Sequence, residues 1–160
     1  MSNFKEASRE ALEFLRTNNK VGVIATVDSD GQPYASPVYY AMGSGFEFFF
    51  LTTKETHKAK NIFLNNKVAF SAGAGPQYIA VMIRGKAVEA STEEANQNLP
   101  ILMKSVEDNK GIDWPVRKLD DLAGQNLILF KVLPEKVTFL NINSTEESKS
   151  NAEHLYHLMS

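Results

Sequence analysis

The sequence contains no cysteine among its 160 residues. Without cysteine the chain cannot form a disulfide, a thiolate nucleophile, a zinc–thiolate site or an iron–sulfur cluster. Any redox chemistry of this protein must therefore come from a bound cofactor.

Long apolar runs and an excess of one charge are also missing. The longest apolar runs, such as residues 21–27, fall far short of the roughly 20 residues of a membrane-spanning helix. With 17 basic and 19 acidic residues the net charge is −2, so no global field favours nucleic acid or an anionic membrane. The N-terminal residues carry frequent charges, unlike a secretory signal. We expect a cytoplasmic protein without nucleic-acid or membrane partners, in which any anion is bound locally.

The composition is that of one globular domain. Hydrophobic residues make up 43% and charged residues 22% of the chain, close to the average of folded proteins. The length fits a single core. Because the composition becomes polar beyond Asn143, we predict a domain over residues 1–143 and a polar tail or short helix over residues 144–160.

Apolar periodicity predicts a mainly β fold with flanking helices. Spacings of three and four predict helices over residues 4–17 and after Thr56. A helix over residues 92–108 is predicted because Ser91 or Thr92 can cap it and the following acidic residues favour a helix N-terminus. Between them lie about seven short strands in meander order. Two of these, residues 126–133 and 135–142, are expected to join at Pro134. Pro37 cannot donate to a sheet, so its strand is predicted to lie at an edge or to be bulged. Closing such a sheet into a small barrel removes exposed edges.

The stretch over residues 48–61 is the strongest candidate for chemistry. Thr52 and Thr53 end a strand, and Thr56, His57 and Lys58 open a helix. Hydroxyls, free backbone N–H groups and an ammonium therefore converge, an arrangement that suits a phosphate. The alternative is that Thr56 is an ordinary N-cap and Lys58 an ordinary surface lysine.

The order of these segments resembles the FMN-binding split barrels of the pyridoxamine 5'-phosphate oxidase-like family over roughly residues 5–142. The resemblance implies that Thr52, Thr56 and Lys58 hold the FMN phosphate, while His57 stands where an arginine is common. It also implies that the isoalloxazine ring lies along the strand containing Pro37, Val38, Tyr39 and Tyr40. We expect an FMN-dependent oxidoreductase with a small-molecule substrate or electron donor, and a homodimer with the cofactor at its interface.

The sequence departs from the pyridoxamine 5'-phosphate oxidases themselves. The barrel does not end in the family's arginine-containing substrate motif, and the strand that supplies a glutamine to the flavin there reads as largely apolar here. The chain looks more like the shorter general-stress relatives. A flavin-binding protein without turnover, or a related barrel that binds haem or a deazaflavin coenzyme, remains the alternative.

The remaining chemically capable residues predict less. Trp114, in a loop with Pro115, either covers the flavin of the other subunit or belongs to a local core. His154 and His157 lie three residues apart, but no third metal ligand lies near them in the sequence, so we predict no metal site. No acid–base pair is recognisable, and no catalytic residue is nominated.

Overall fold

The computed structural model describes residues 2–18, 20–73, 75, 78–108, 126–142 and 155–159. In chain order these residues form helix α1 (Ser2–Thr17), strands β1 (Val21–Val27), β2 (Pro33–Tyr39), β3 (Ala41–Met42) and β4 (Phe48–Thr53), helix α2 (His57–Leu64), strands β5 (Lys67–Gly73) and β6 (Ile79–Glu89), helix α3 (Thr92–Asp108), and strands β7 (Leu127–Asn141) and β8 (Leu155–Met159).

The strands form one curled antiparallel sheet in the order β2-β1-β5-β6-β7-β4-β3, and β8 also pairs with β7. The predicted mainly β fold with flanking helices is confirmed. The expected meander order is wrong at β4, which pairs with β7 rather than with β5. Helix α2 follows β4 and packs against β1, so the chain crosses from one part of the sheet to another before β5 begins.

Strand β2 lies at the end of the sheet, as its proline predicts. Pro37 pairs with Val23 of β1, and β1 is the one neighbour of β2 in the strand order. Because the outer side of an edge strand needs no partner, the missing N–H of a proline costs little there. Ser36, Val38 and Tyr40 are buried, whereas Pro37 is exposed, which shows which face of β2 meets the core.

Strand β7 runs without interruption through Pro134, which corrects the prediction of two separate strands. On one edge β7 pairs with β4 at residues 127–132 and with β8 at residues 137–140, so Pro134 lies between these two ladders. On the other edge, the register with β6 shifts between Arg84 and Gly85, where Gly85 pairs with Pro134. A bulge of this kind accommodates a residue that cannot donate a ladder hydrogen bond.

The main core lies inside the curl of the sheet. Helix α1 contributes Ala7, Ala11 and Leu15, and α2 contributes Ala59 and Ile62, to a cluster with the inward side chains of the strands. A second cluster lies outside the sheet, where Leu102 of α3 packs with Tyr39, Phe49 and Leu129. Each face of the β3–β4–β7 region is therefore covered, one by the core and the other by α3.

Helix α3 begins where the sequence predicts. Ser91 caps α3: its Oγ accepts from the Glu94 N–H at 3.2 Å, and Glu94 Oε2 accepts from the Ser91 N–H at 3.0 Å. This capping box confirms the predicted start.

The short helix considered for residues 144–160 is wrong at residues 155–159, which form β8. Tyr156 stacks on Phe139 and Leu158 is buried, a period of two that suits a strand.

Candidate functional site

The candidate site is the junction between β4 and α2. The Thr53 carbonyl accepts hydrogen bonds from the Thr56 N–H at 3.2 Å and from the Thr56 hydroxyl at 2.9 Å. The start of β7 braces the connecting turn, because the Asn126 carbonyl accepts from the Lys54 N–H at 2.9 Å. The turn thus places the beginning of α2 directly behind the end of β4.

Thr56 is the N-cap of α2, and its hydroxyl is fully used. It donates to the Thr53 carbonyl and accepts from the Ala59 N–H at 3.3 Å. Its oxygen also lies 3.0 Å from the Thr52 hydroxyl oxygen. Because the one proton of Thr56 goes to a carbonyl, Thr52 must be the donor of this third bond. The Thr52 hydroxyl therefore has lone pairs but no free proton with which to contact a ligand. The Thr56 hydroxyl has neither a free lone pair nor a free proton.

Lys58 is a half-buried cation in the first turn of α2. Burial lowers the pKa of its ammonium below the usual value. Within the described part of the chain, no carboxylate forms an ion pair with Lys58. The N–H groups of His57 and Lys58 also have no acceptor within the helix, as in any first helical turn. Ammonium, N–H groups and the positive end of the helix dipole together favour an anion.

His57 is exposed, and its ring lies against β2. The centroids of the His57 and Tyr34 rings are 5.3 Å apart, with the planes tilted by 34°. Thr53 is partly buried at the end of β4. The structure therefore brings Thr52, Thr53, Thr56, His57 and Lys58 together at one junction, and adds Tyr34, which the sequence analysis did not nominate.

A buried polar contact fixes α2 to the sheet. Asn61 Nδ2 donates to Thr26 Oγ1 at 3.0 Å, and both residues are buried. Thr26 Oγ1 lies 3.5 Å from the Tyr34 carbonyl oxygen. The contact joins α2 to β1 and reaches β2, so it sets the junction relative to the β1–β2 hairpin. Sequence reasoning missed it, although an asparagine beside apolar Ile62 was a signal of a satisfied buried amide.

The predicted ring-binding residues of β2 divide between the two faces of the strand. Val38 and Tyr40 point into the main core. The Tyr40 hydroxyl lies 2.9 Å from both the Leu15 carbonyl oxygen and Asn18 Oδ1, and burial raises its pKa above the usual value. Pro37 is exposed, and Tyr39 lies at the outer cluster with 6% of its surface exposed. Of the four side chains, those of Pro37 and Tyr39 share the outer face.

Trp114 and His154, two of the residues considered in the sequence, lie outside the described residues. His157 is exposed on β8, and its Nδ1 lies 3.4 Å from Thr138 Oγ1. Among the described residues, no three His, Asp or Glu side chains are close enough to hold a metal ion. In the same ranges no helix is both long and apolar enough to cross a membrane.

Comparison with known proteins identifies the relatives of this chain. The family model of pyridoxamine 5'-phosphate oxidase matches residues 5–139. A pyridoxine/pyridoxamine 5'-phosphate oxidase of Shewanella sp. (strain ANA-3) is 30% identical over 116 residues, which are 72% of this chain and 53% of the relative. The chain thus spans about half the length of the curated relatives it matches.

Two solved structures illustrate the shared fold. An FAD-binding protein from Mesorhizobium loti has a TM-score of 0.59 at 21% identity and covers 82% of this chain and 92% of its own. A heme binding protein from Mycobacterium smegmatis has a TM-score of 0.64 at 17% identity and covers 89% of this chain and 55% of its own. The expected split-barrel fold is confirmed by such neighbours. At these identities the likeness extends to the fold alone.

Proposed function

The chain belongs to the pyridoxamine 5'-phosphate oxidase family, and we propose that it is an FMN-binding oxidoreductase that acts on a small molecule. The observation that carries the proposal is Lys58, a half-buried cation without an acidic partner among the described residues, at the N-terminus of α2. A site of this kind stabilises a phosphate dianion in a place where water competes weakly.

The donors at the junction fit the phosphate of FMN. The Lys58 ammonium and the N–H groups of His57 and Lys58 supply positive charge and hydrogen bonds. For Thr52 and Thr56 we propose a role other than the direct phosphate contact that the resemblance implies. Their hydroxyl protons are already donated within the protein, so they hold the start of α2 in place for the groups that contact the phosphate.

The outer face of β2 supports the position of the flavin ring. Of the predicted ring-binding set, Pro37 is exposed on this face, and Tyr39 lies on the same face but is packed against Leu102 of α3. Val38 and Tyr40 form the wall behind them. The flavin would supply hydride chemistry at its N5 atom. The protein side chains would orient the ring and exclude water from one of its faces.

We further propose a homodimer in which the partner covers this outer face. Val23 has 44% of its surface exposed and pairs with the exposed Pro37, so an apolar part of the sheet is open in one chain. A second copy would bury this surface and enclose the flavin ring between two subunits. The cytoplasm is the proposed location, on the grounds of charge and composition given above.

The Shewanella relative acts on pyridoxine or pyridoxamine 5'-phosphate according to its name. This chain departs from such enzymes in its final strand and in β6, which is largely apolar at the position of their glutamine. Flavin binding without turnover remains the second candidate. Haem is the third, because a neighbour of the same fold is a heme binding protein.

An absorption spectrum of the purified protein, before and after titration with FMN, tests these candidates. Bound flavin bands with quenched fluorescence support the proposal, and a Soret band indicates haem instead. Colourless protein that does not quench FMN would overturn both flavin candidates. Bleaching by NAD(P)H followed by reoxidation in air distinguishes an oxidoreductase from a protein that only stores flavin.

A further inference from the structure

Two cationic side chains lie opposite each other on the outer face of the central strands. Arg84 of β6 is the direct partner of Lys136 of β7. Their neighbours Ile83 and Val137 are buried in the core, so Arg84 and Lys136 point outwards by strand alternation. Arg84 is exposed and Lys136 is partly exposed. Like charges in directly opposite positions destabilise a sheet, so the Arg84–Lys136 pair does not stabilise the fold.

The surrounding charges do not neutralise this pair. Lys67 and Lys86 are partners across β5 and β6 and extend the positive region. The nearby carboxylate, Glu135, is paired with Lys86 at 3.0 Å. No ion pair of Arg84 or Lys136 is found in the described ranges. In a chain of net charge −2, these four cationic side chains share one ion pair with a carboxylate, that of Lys86 with Glu135, among the described residues.

A row of small side chains leads away from Arg84 across the outer face. Ala69 pairs with Arg84, Ala25 pairs with Ala69, and Ala35 pairs with Ala25. With strands about 4.8 Å apart, the three alanines span roughly 10 Å, and the distance from Arg84 to Ala35 is roughly 14 Å. Because alanine side chains extend only one methyl group from the sheet, a flat organic molecule can lie on the row with one end at Arg84.

We infer that Arg84 and Lys136 bind the carboxylate or phosphate group of a small organic anion whose remaining part lies over Ala69 and Ala25. The guanidinium group matches the geometry of either group with two parallel hydrogen bonds, and Lys136 adds a second positive charge. This inference does not rest on flavin binding. Ala35 and Pro37 lie on the same face of β2. Under the proposed function, the partner subunit would enclose this anion beside the flavin ring, and the anion would be the charged end of the flavin's reaction partner.

NMR titration of the full chain without FMN tests the inference. The probes are inorganic phosphate, succinate and, as a neutral control, succinamide. We expect saturable shifts of the Ala69, Arg84 and Lys136 amide signals with one or both anions, and none with succinamide. Which anion binds more tightly distinguishes a phosphate ligand from a carboxylate ligand.

Three variants make the result specific. Arg84→Gln should weaken the anion at this site by roughly tenfold or more, whereas Arg9→Gln, at an exposed arginine of α1, should leave it unchanged. Lys58→Gln should also leave it unchanged, which separates this site from the proposed flavin phosphate site. Failure of FMN to bind would leave these shifts intact.

Several outcomes would overturn the inference. Equal affinity in wild type and Arg84→Gln would do so, as would anion-induced shifts confined to the start of α2. A change in subunit association of Arg84→Gln with unaltered anion affinity would show that the pair is a subunit contact.

Discussion

The side-chain oxygens of Thr52 and Thr56 lie 3.0 Å apart, and the proton of this hydrogen bond comes from Thr52. This hydrogen bond joins Thr52, the last buried residue of β4, to Thr56, the N-cap of α2. In the proposed phosphate site, Lys58 and the helix N–H groups would contact the anion, and the two threonines would hold these groups in position.

Removal of the Lys58 ammonium should weaken FMN binding without unfolding the protein. A charge-assisted hydrogen bond contributes about 1.5–3 kcal/mol, so Lys58→Ala should raise the FMN Kd by roughly tenfold to a hundredfold. Fluorescence quenching of FMN measures this. Lys60→Ala is the matched control, because Lys60 is exposed on the same helix. Equal effects of the two substitutions would contradict the assignment.

Loss of the Thr56 cap should reduce stability. Thr56→Ala removes an N-cap and should lower the free energy of unfolding by about 1 kcal/mol, as measured by urea denaturation. Thr56→Ser should restore most of it. Thr17→Ala is the control, because the Thr17 hydroxyl donates to the Glu13 carbonyl at the exposed end of α1. If Thr56→Ala is no worse than Thr17→Ala, Thr56 does not act as the cap.

Gly85 should not tolerate a larger residue. A Cβ atom at this position would lie 2.0 Å from the Leu133 carbonyl oxygen and 3.0 Å from Pro134 Cα, both backbone atoms of β7. Gly85→Ala should therefore cost about 1–3 kcal/mol or more. Gly75→Ala makes the same chemical change in open space and should be nearly neutral. Thermal unfolding of both variants tests whether the bulge depends on this glycine.

The buried Tyr40 hydroxyl should make stability depend on alkaline pH. Burial raises its pKa in the folded state, whereas an unfolded tyrosine titrates near about 10. The unfolded state therefore loses its proton first, and the free energy of unfolding should fall as pH rises above about 10. Tyr40→Phe should reduce the steepness of this fall. An identical pH profile of the variant and the wild type would show that Tyr40 is not responsible.

The proposed dimer predicts a specific effect at Val23. Val23→Glu should place a charge in the apolar interface and convert the dimer into a monomer of about 17.8 kDa in sedimentation equilibrium. Leu64→Glu is the control, because Leu64 is 71% exposed on α2, away from the outer face of β1. A wild-type monomer with flavin bound would refute the shared site.

Local patterns in the sequence determined much of the secondary structure. The spacing of Ala7, Ala11 and Leu15 specifies α1 because a helix of 3.6 residues per turn places them on one face. Ser91 with Glu94 specifies the start of α3, since a capping box involves backbone groups three residues apart. The residues around Thr56 predicted the position of the β4–α2 junction for the same local reason.

Only the tertiary structure decided which strands pair and which side chains are free. The β4–β7 and Arg84–Lys136 pairings join residues distant in sequence, and period-two patterns do not encode partners. Whether Lys58 has an acidic partner depends on which segments surround it. The sequence predicts a strand end at Pro134 because a proline lacks an N–H. In the structure, the bulge opposite Gly85 lets β7 continue through Pro134. Such long-range backbone contacts are absent from any local pattern.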